Sequence, residues 1–458
     1  VIKNSLGIRS QQLKSAVNAR KLWQFKRHLH RSDFISALRV SNQEQWMKGA
    51  DQRYCLFRLG CYLSATDGAS DPQTARETVA LAVSYAAQGR QQKCLDTIEY
   101  GISSLQQNKT LLIEAARGVS RYDPKLSLSL LSKIKGNYAL KAALLFKIGD
   151  FAQAKAQILR GKHPRKKDLV DCYHLILANI ESDPRLKLLH LNSHLEASGL
   201  KTLRLLDTCK PPTVQNLTTP ETPSSPTGPL VSIVMPAYQA EKWIFHSIRS
   251  LMNQTYTNIE LIIVDDGSVD ETQGIVTEMA RHDDRIKYIR LVRNRGAYVA
   301  RNIGLDAAQG EFFTVNDADD FAHPERIERQ ITPLIEDSNI VFTLADLVRV
   351  GNDGVFGRKE VYPIQRLNPS SLVFRRQKVV SESGRWEEVR FGSDSEFIAR
   401  LKNNYSGNQW HRLKLPLTIA SSHDQSLTAS ANTGNSEYGM NIERLQYIEH
   451  YTLKILKK

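Results

Sequence analysis

Residues Val231–Thr272 read "VSIVMPAYQAEKWIFHSIRSLMNQTYTNIELIIVDDGSVDET". The opening run is almost continuously apolar, the pattern of a strand covered on both faces. A helical stretch, "EKWIFHSIRSLMNQT", follows it, and "IELIIVDDGS" is a second apolar strand. A helix then opens at "SVDET", where Ser268 is placed to cap and Glu271, three residues on, to reach back. Further along, "IKYIRLV", "RNRGAYVARNIGLDAAQG" and "EFFTVNDADD" continue the alternation of strand and helix. This order predicts an α/β domain with a Rossmann-like, mainly parallel sheet. In such sheets ligands sit at the carboxyl ends of the strands. Asp265 and Asp266 end the second strand and Asp317 and Asp319 the fourth, so four carboxylates are expected to face one crevice.

Upstream, Pro211–Pro229 ("PPTVQNLTTPETPSSPTGP") is rich in Pro, Thr and Ser and offers almost nothing to a core, which predicts a linker. Charge divides near the same place. Residues 1–228 carry 34 Lys/Arg against 18 Asp/Glu, whereas 229–458 carry 28 against 30, so the basic surface belongs to the N-terminal half. That half is helical in pattern. Gly60, Gly89, Gly118 and Gly149, spaced 29, 29 and 31 apart, each separate two apolar stripes, which predicts stacked helical hairpins. The last of them, around Gly149, Phe151 and Ala154, resembles a tetratricopeptide repeat; an irregular helical bundle is the other reading. The expected domains are therefore a basic all-α helical-hairpin domain over 1–210, a linker over 211–229, the α/β domain over 230–435 and a C-terminal helix over 436–458. In "ARKLWQFKRHLHRSDF", Trp23 and Phe25 stand among Lys, Arg and His, a composition suited to an anionic membrane surface, an anionic polymer or simple solvation. Five scattered cysteines without a Cys-x-x-Cys pair argue against a disulfide framework or structural zinc and for reduced thiols in a cytoplasmic setting. No apolar run approaches the ~20 residues of a membrane span.

The segment from residue 230 to about 335, and more weakly to about 430, resembles family 2 glycosyltransferases, whose nucleotide-binding half it matches in order and which have the GT-A fold and act with inversion. The resemblance implies a nucleotide-sugar donor, UDP-linked, and a divalent cation, Mn²⁺ or Mg²⁺, since a hard cation takes one or two carboxylates and leaves its other positions to phosphate and water. Residue by residue it implies that Pro236, Ala237 and Tyr238 line the base pocket, that Asp265 meets the base, and that Asp266 supports the turn at Gly267. Asn294, Gly296 and Arg301 border the nucleotide. In "NDADD", Asp317 contacts the ribose, Ala318 lies beside it and Asp319 holds the metal. A capped turn for Asp265 and Asp266 and a buried ion pair for Arg301 are the structural alternatives. Asp320 is expected to cap the helix "HPERIERQ", with Pro324 in its first turn.

Inverting transfer needs a base for the acceptor hydroxyl. In "WEEVRFGSDSEFIARL", Asp394 falls on the family's catalytic aspartate, although Ser393 stands where the family has Glu; a helix cap is the competing role. His423 in "SSHDQSLTAS" is the candidate second metal ligand. The implied acceptor is a glycan of a surface or capsular polysaccharide, anionic if the basic half is to hold it. Otherwise that half docks the enzyme at the inner face of the membrane or onto an assembly partner. An inactive nucleotide-sugar-binding scaffold is the alternative from another class. No nucleic-acid motif supports RNA or DNA binding, and the Gly-rich loop of a nucleotidyltransferase is missing after the first strand. The aspartate loop is expected to be poorly ordered without cation and diphosphate.

Overall fold

The computed structural model describes residues 19–42, 49–161, 172–220, 228–357, 361–423, 435–436 and 439–457. They fall into two compact units, Val1–Lys133 with Ala431–Lys458, and Ile134–Ser430.

The first unit is helical. A helix over 19–30 buries Phe25 and Leu29 and leaves Trp23 exposed, with Arg27 over its ring. Helices Ala50–Arg58 and Tyr62–Thr66 flank Gly60, and Ala75–Ala87 and Gln91–Gln106 flank Gly89. Both glycines turn at positive φ, +79° and +75°. Gly118 departs from the expected pattern. It lies inside helix Lys109–Val119, where a Cβ would collide with Val83, so it permits close helix packing and makes no turn. Helix Ile442–Lys457 belongs to this unit: Glu449 accepts from both the backbone and the hydroxyl of Ser64 (2.9 Å each), and Arg39 donates to the carbonyl of Ile455.

The second unit contains the α/β sheet, with strands β1 (Val231–Ala237), β2 (Ile259–Asp265), β3 (Ile286–Arg290), β4 (Phe312–Val315), β5 (Asp320–Ala322), β6 (Phe342–Gly351), β7 (Gln365–Leu367), β8 (Val373–Arg375) and β9 (Trp410–Ser422). Their order is β3-β2-β1-β4-β8-β6-β9-β5, with β7 paired to β6. The first four are mutually parallel, as the alternation required. Beyond β4 the sheet becomes mixed: β8 is antiparallel to both its neighbours, β9 is parallel to β6, and β5 is antiparallel to β9.

Helices cover both faces. On one, α1 (Ile244–Met252), α2 (Thr272–His282) and α4 (Arg326–Glu336) pack Ile244, Ile248, Val276, Ile327 and Ile331 against Ile233, Met235, Leu261 and Ile263. On the other, α3 (Ala297–Ala307), α5 (Arg376–Ser383) and α6 (Ser393–Asn404) pack Ala300, Leu305, Val379, Phe397 and Leu401 against Val234, Ile262 and Phe313. Every residue of β2 is buried, which is why its sequence lacks the apolar–polar alternation of a half-exposed strand.

The break between units lies near residue 134 instead of at the Pro/Thr/Ser stretch. Residues 134–220 fold with the sheet through bonds that composition does not reveal. The Asn179 side chain exchanges two hydrogen bonds with the Phe356 backbone (2.8 and 2.6 Å), His194 meets Gln365 (2.7 Å), and Glu325 accepts from the Lys201 N–H (2.7 Å). The hairpin Tyr138–Lys147/Phe151–Arg160, turning at Gly149, belongs here. The start of the expected linker is a folded turn: Leu217–Thr218 pairs with Arg204–Leu205, and the Asn216 amide donates to the carbonyls of Asp207, Lys210 and Pro211. Residues 221–227 and 424–430, on which parts of the linker and post-His423 readings fall, lie outside the described residues.

Candidate active site

The carboxyl ends of β1, β2 and β4 assemble three groups of residues. The first is a structural turn. Asp265, fully buried, accepts from the Ser268 N–H (2.9 Å) and the Tyr288 hydroxyl (2.6 Å). Asp266, 3% exposed, accepts from the backbone N–H groups of Arg295 and Gly296 (2.7 Å each), and its own N–H donates to Ala237 (2.8 Å). Burial pushes the Asp266 carboxyl up, and those two N–H groups oppose it. Gly267 turns between them at φ +79°, where a Cβ would press on the Arg293 backbone at 3.0 Å. Pro236 and Ala237 pair with Val264 and Asp265; Tyr238 and Asn294 are exposed beside this turn.

This arrangement corrects two expectations. The four carboxylates do not share one crevice, because Asp265 and Asp266 face inward and serve the turn. Ser268 does not cap α2; its hydroxyl accepts from the Gln239 N–H (3.0 Å), and α2 begins four residues later.

The second group centres on Arg301, 3% exposed on α3. Its guanidinium donates to Asp317 Oδ1 (2.6 Å), to Asp394 Oδ1 and to the Ser370 hydroxyl (3.4 Å), and Ser370 donates to Asp317 Oδ2 (3.0 Å). Asp394, in the first turn of α6, also accepts from the Trp386 indole N–H at Oδ1 and from the Tyr298 hydroxyl at Oδ2, both at 3.2 Å. It caps nothing: Gly392 is the N-cap of α6, without a side-chain cap bond. Burial pushes the Asp394 carboxyl up despite Arg301 beside it. Burial also pushes Asp317 up, but Arg301 and Ser370 outweigh it and the net direction is down. Arg301 thus occupies the buried ion pair weighed as an alternative, shared between two carboxylates.

The third group is Asp319 and His423. Asp319 Oδ2 lies 2.8 Å from His423 Nε2, and the imidazole stacks on Trp243 with centroids 4.1 Å apart. Among the described residues none partners the buried His423 Nδ1. Among the described residues no set of three or more His, Cys, Asp or Glu side chains converges on a metal position. One carboxylate and one imidazole do suit a divalent ion that completes its shell with diphosphate and water.

Asp320 does not cap a helix. It lies in β5, pairs with Ala420 and accepts from the Ser421 N–H (3.2 Å). Burial, then Asp319 and Asp317, push its carboxyl well up. Nor is the turn loose. Asp320 N–H donates to the Asp317 carbonyl (3.1 Å), and the Asn316 amide donates to the carbonyls of Asp317 (2.9 Å) and Asp320 (3.3 Å). Arg326, 1% exposed, donates to the Asn316 side chain and to the Val315 carbonyl (2.7 Å). It is a cation set beneath the cluster, pushed down to about 10 by burial and held up by Asp320 and Asp317.

Tyr298, Trp386, Ser370 and Arg326 are absent from the sequence-derived set. Tyr298 was within reach, since a residue three before Arg301 shares its helix face. Ser370 gives no local signal, because 53 residues separate it from Asp317.

Comparison with known proteins bears on this geometry. The model of the family described as Glycosyl transferase family 2 matches residues 232–387. An uncharacterized glycosyltransferase of Haemophilus influenzae is 42% identical over 115 residues, 25% of this chain and 46% of that protein. A putative teichuronic acid biosynthesis glycosyltransferase of Bacillus subtilis, TuaG, is 36% identical over 126 residues, 28% of this chain and 50% of that one. The Escherichia coli UDP-Glc:alpha-D-GlcNAc-diphosphoundecaprenol beta-1,3-glucosyltransferase WfgD is 39% identical over 129 residues, with the same shares, 28% and 50%. The chain thus spans half or less of the length of these relatives. By this match, the region 232–387 is a glycosyl transferase family 2 domain.

Proposed function

We propose that the α/β unit is an inverting glycosyltransferase that moves a sugar from a UDP-sugar to a hydroxyl of a growing surface polysaccharide. The observation that carries this reading is the convergence of Asp317 and Asp394, from different elements, on the buried Arg301, beside the Asp319–His423 pair. Asp317 binds the ribose and, with Ala318, Asn294, Gly296, Tyr238 and the strand end at Pro236 and Ala237, borders the nucleotide. The base contact expected of Asp265 requires the turn to open, because that carboxylate is fully buried. Asp319 and His423 hold the divalent cation, Mn²⁺ or Mg²⁺, which when bound stabilises the negative charge on the departing diphosphate.

Asp394 takes the proton of the acceptor hydroxyl as its oxygen attacks the anomeric carbon from the face opposite the diphosphate. An α-linked donor then gives a β-linked product. The name of the E. coli relative, which specifies UDP-Glc and a lipid-diphosphate-linked acceptor, supports the donor class. The basic helices of the N-terminal half serve this reading by holding an anionic acceptor polymer or by docking at an anionic membrane face. The test is UDP release from a panel of nucleotide sugars with and without Mn²⁺ or Mg²⁺. Metal-dependent release from at least one UDP-sugar supports the proposal, and no release from any of them with acceptor present contradicts it.

A further inference from the structure

The two oxygens of Asp394 are held unequally. Oδ1 accepts from both the Arg301 guanidinium and the Trp386 indole N–H (3.2 Å), and these two donors fill its acceptor capacity. Among the described residues Oδ2 accepts from the Tyr298 hydroxyl alone (3.2 Å), which leaves it one lone pair that none of them fills, on a side chain that is 15% exposed. Both neutral donors are fixed by packing. The Trp386 ring is wedged against Phe397 (centroids 4.7 Å), Phe313 (5.9 Å) and Phe374 (6.1 Å), which sets the direction of its N–H. Tyr298 is 7% exposed, with the Arg301 guanidinium 5.2 Å from its ring centroid. Burial and Asp394 push its phenol above the ordinary range, so it remains a donor at any working pH.

We propose that Tyr298 and Trp386 are positioning residues that select the reacting oxygen of Asp394: Oδ1 is anchored and Oδ2 takes the proton of the acceptor hydroxyl. This rests on the reading of Asp394 as the base. In the step, the acceptor O–H bond breaks and its proton passes to Oδ2. The acceptor oxygen forms the new bond to the anomeric carbon, and the carbon–oxygen bond to the diphosphate breaks, the diphosphate leaving with the electron pair. The charged and titratable groups that face Asp394 are Arg301 and Tyr298 on α3 and Asp317 on the turn after β4. A hydrogen bond to the ionised carboxylate favours it, so deleting one such donor raises the pH at which the base becomes protonated.

The experiment is the pH profile of kcat/KM for sugar transfer by the full chain as wild type, Tyr298→Phe, Trp386→Phe and Asp394→Asn. Tyr298→Phe removes only a hydroxyl, and its acid limb is expected about 0.5 to 1 pH unit higher, with a deficit that shrinks as pH rises. Trp386→Phe also shifts the limb upward and in addition lowers kcat across the range, because Oδ1 loses an anchor. If the Tyr298→Phe profile superimposes on wild type, or if its loss is the same at every pH, the selection of Oδ2 is wrong. Should Trp386→Phe fail to fold, the Tyr298→Phe profile alone decides. Asp394→Asn separates the two readings: transfer that survives it removes the base itself, whereas abolished transfer with unshifted Tyr298→Phe and Trp386→Phe limbs removes only the positioning roles.

Discussion

At the scale of single residues, the crowded aspartates are tolerated because each is held by different partners. Asp317 is paired with Arg301, Asp319 meets His423, and Asp320 is paired into β5 above the buried Arg326. Removing Arg301 leaves two largely buried carboxylates facing each other. Arg301→Gln is therefore expected to cost about 2–3 kcal/mol of stability in urea unfolding, at or just below the low end of the range for broken buried pairs because Asp317 is 34% exposed. UDP affinity should fall with it, since the carboxylate proposed to bind the ribose loses its anchor. Asp317, Asp319, Asp394 and Arg301 could be picked out as candidates because they sit in short motifs whose residue types have few structural substitutes, and the structure brings Asp317 and Asp394 together on Arg301. Ser370, Trp386 and Arg326 were not, because their roles arise from side-chain directions and from chain segments brought together only by the fold. Asp320 was misread since the sequence "ADDFAHPERI" offers a plausible cap, whereas pairing with β9 depends on a strand about a hundred residues away.

At the scale of elements, the parallel core was readable from two unbroken apolar runs, but the antiparallel insertion of β8 was not, since three-residue strands carry no periodicity. The loop before α3 is pinned to the β2 turn by Asp266 and by the close approach at Gly267. Gly267→Ala meets both a positive φ and a 3.0 Å backbone contact, and should destabilise the unit by about 1–3 kcal/mol, visible as a lower melting temperature.

A second prediction at this scale concerns the segment 184–201, which is tied to the sheet by two buried histidines. His194 meets Gln365. His323 Nε2 donates to the Lys201 carbonyl (2.9 Å), while its Nδ1 accepts from the Glu325 N–H (3.2 Å). Burial pushes both imidazoles down from 6.5 to about 4. The unfolded chain takes up these protons below about pH 6.5 and the folded one does not until about pH 4, so stability falls as pH drops through that window. Each histidine should contribute ~1.4 kcal/mol per pH unit. Urea unfolding between pH 7 and 5 checks this, and a His194→Gln, His323→Gln double variant should show a flatter slope.

At the scale of the whole molecule, helix Ile442–Lys457 completes a core that begins near residue 25, burying Leu445, Ile455 and Leu456. The sequence reading expected a C-terminal helix over 436–458 and left it apart from the N-terminal helices, because apolar periodicity shows that a face is buried without showing against what. A chain ending at residue 440 should lower the first calorimetric transition by ~5 °C or more, with loss of helical signal from the N-terminal unit. The basic excess of residues 1–228 should make binding of the full chain to anionic vesicles or anionic glycan fall steeply as salt rises from ~50 to ~500 mM, a range over which the screening length shortens about threefold.

The central claim is that Asp394 is the base of a donor site built on Asp317 and Asp319. It is tested most directly by comparing transfer from the active UDP-sugar with UDP binding, by calorimetry, in wild type and Asp394→Asn. The account predicts a loss of kcat of about 10²–10⁴-fold with UDP affinity retained within a few-fold. Transfer that persists in Asp394→Asn at the wild-type rate would contradict it.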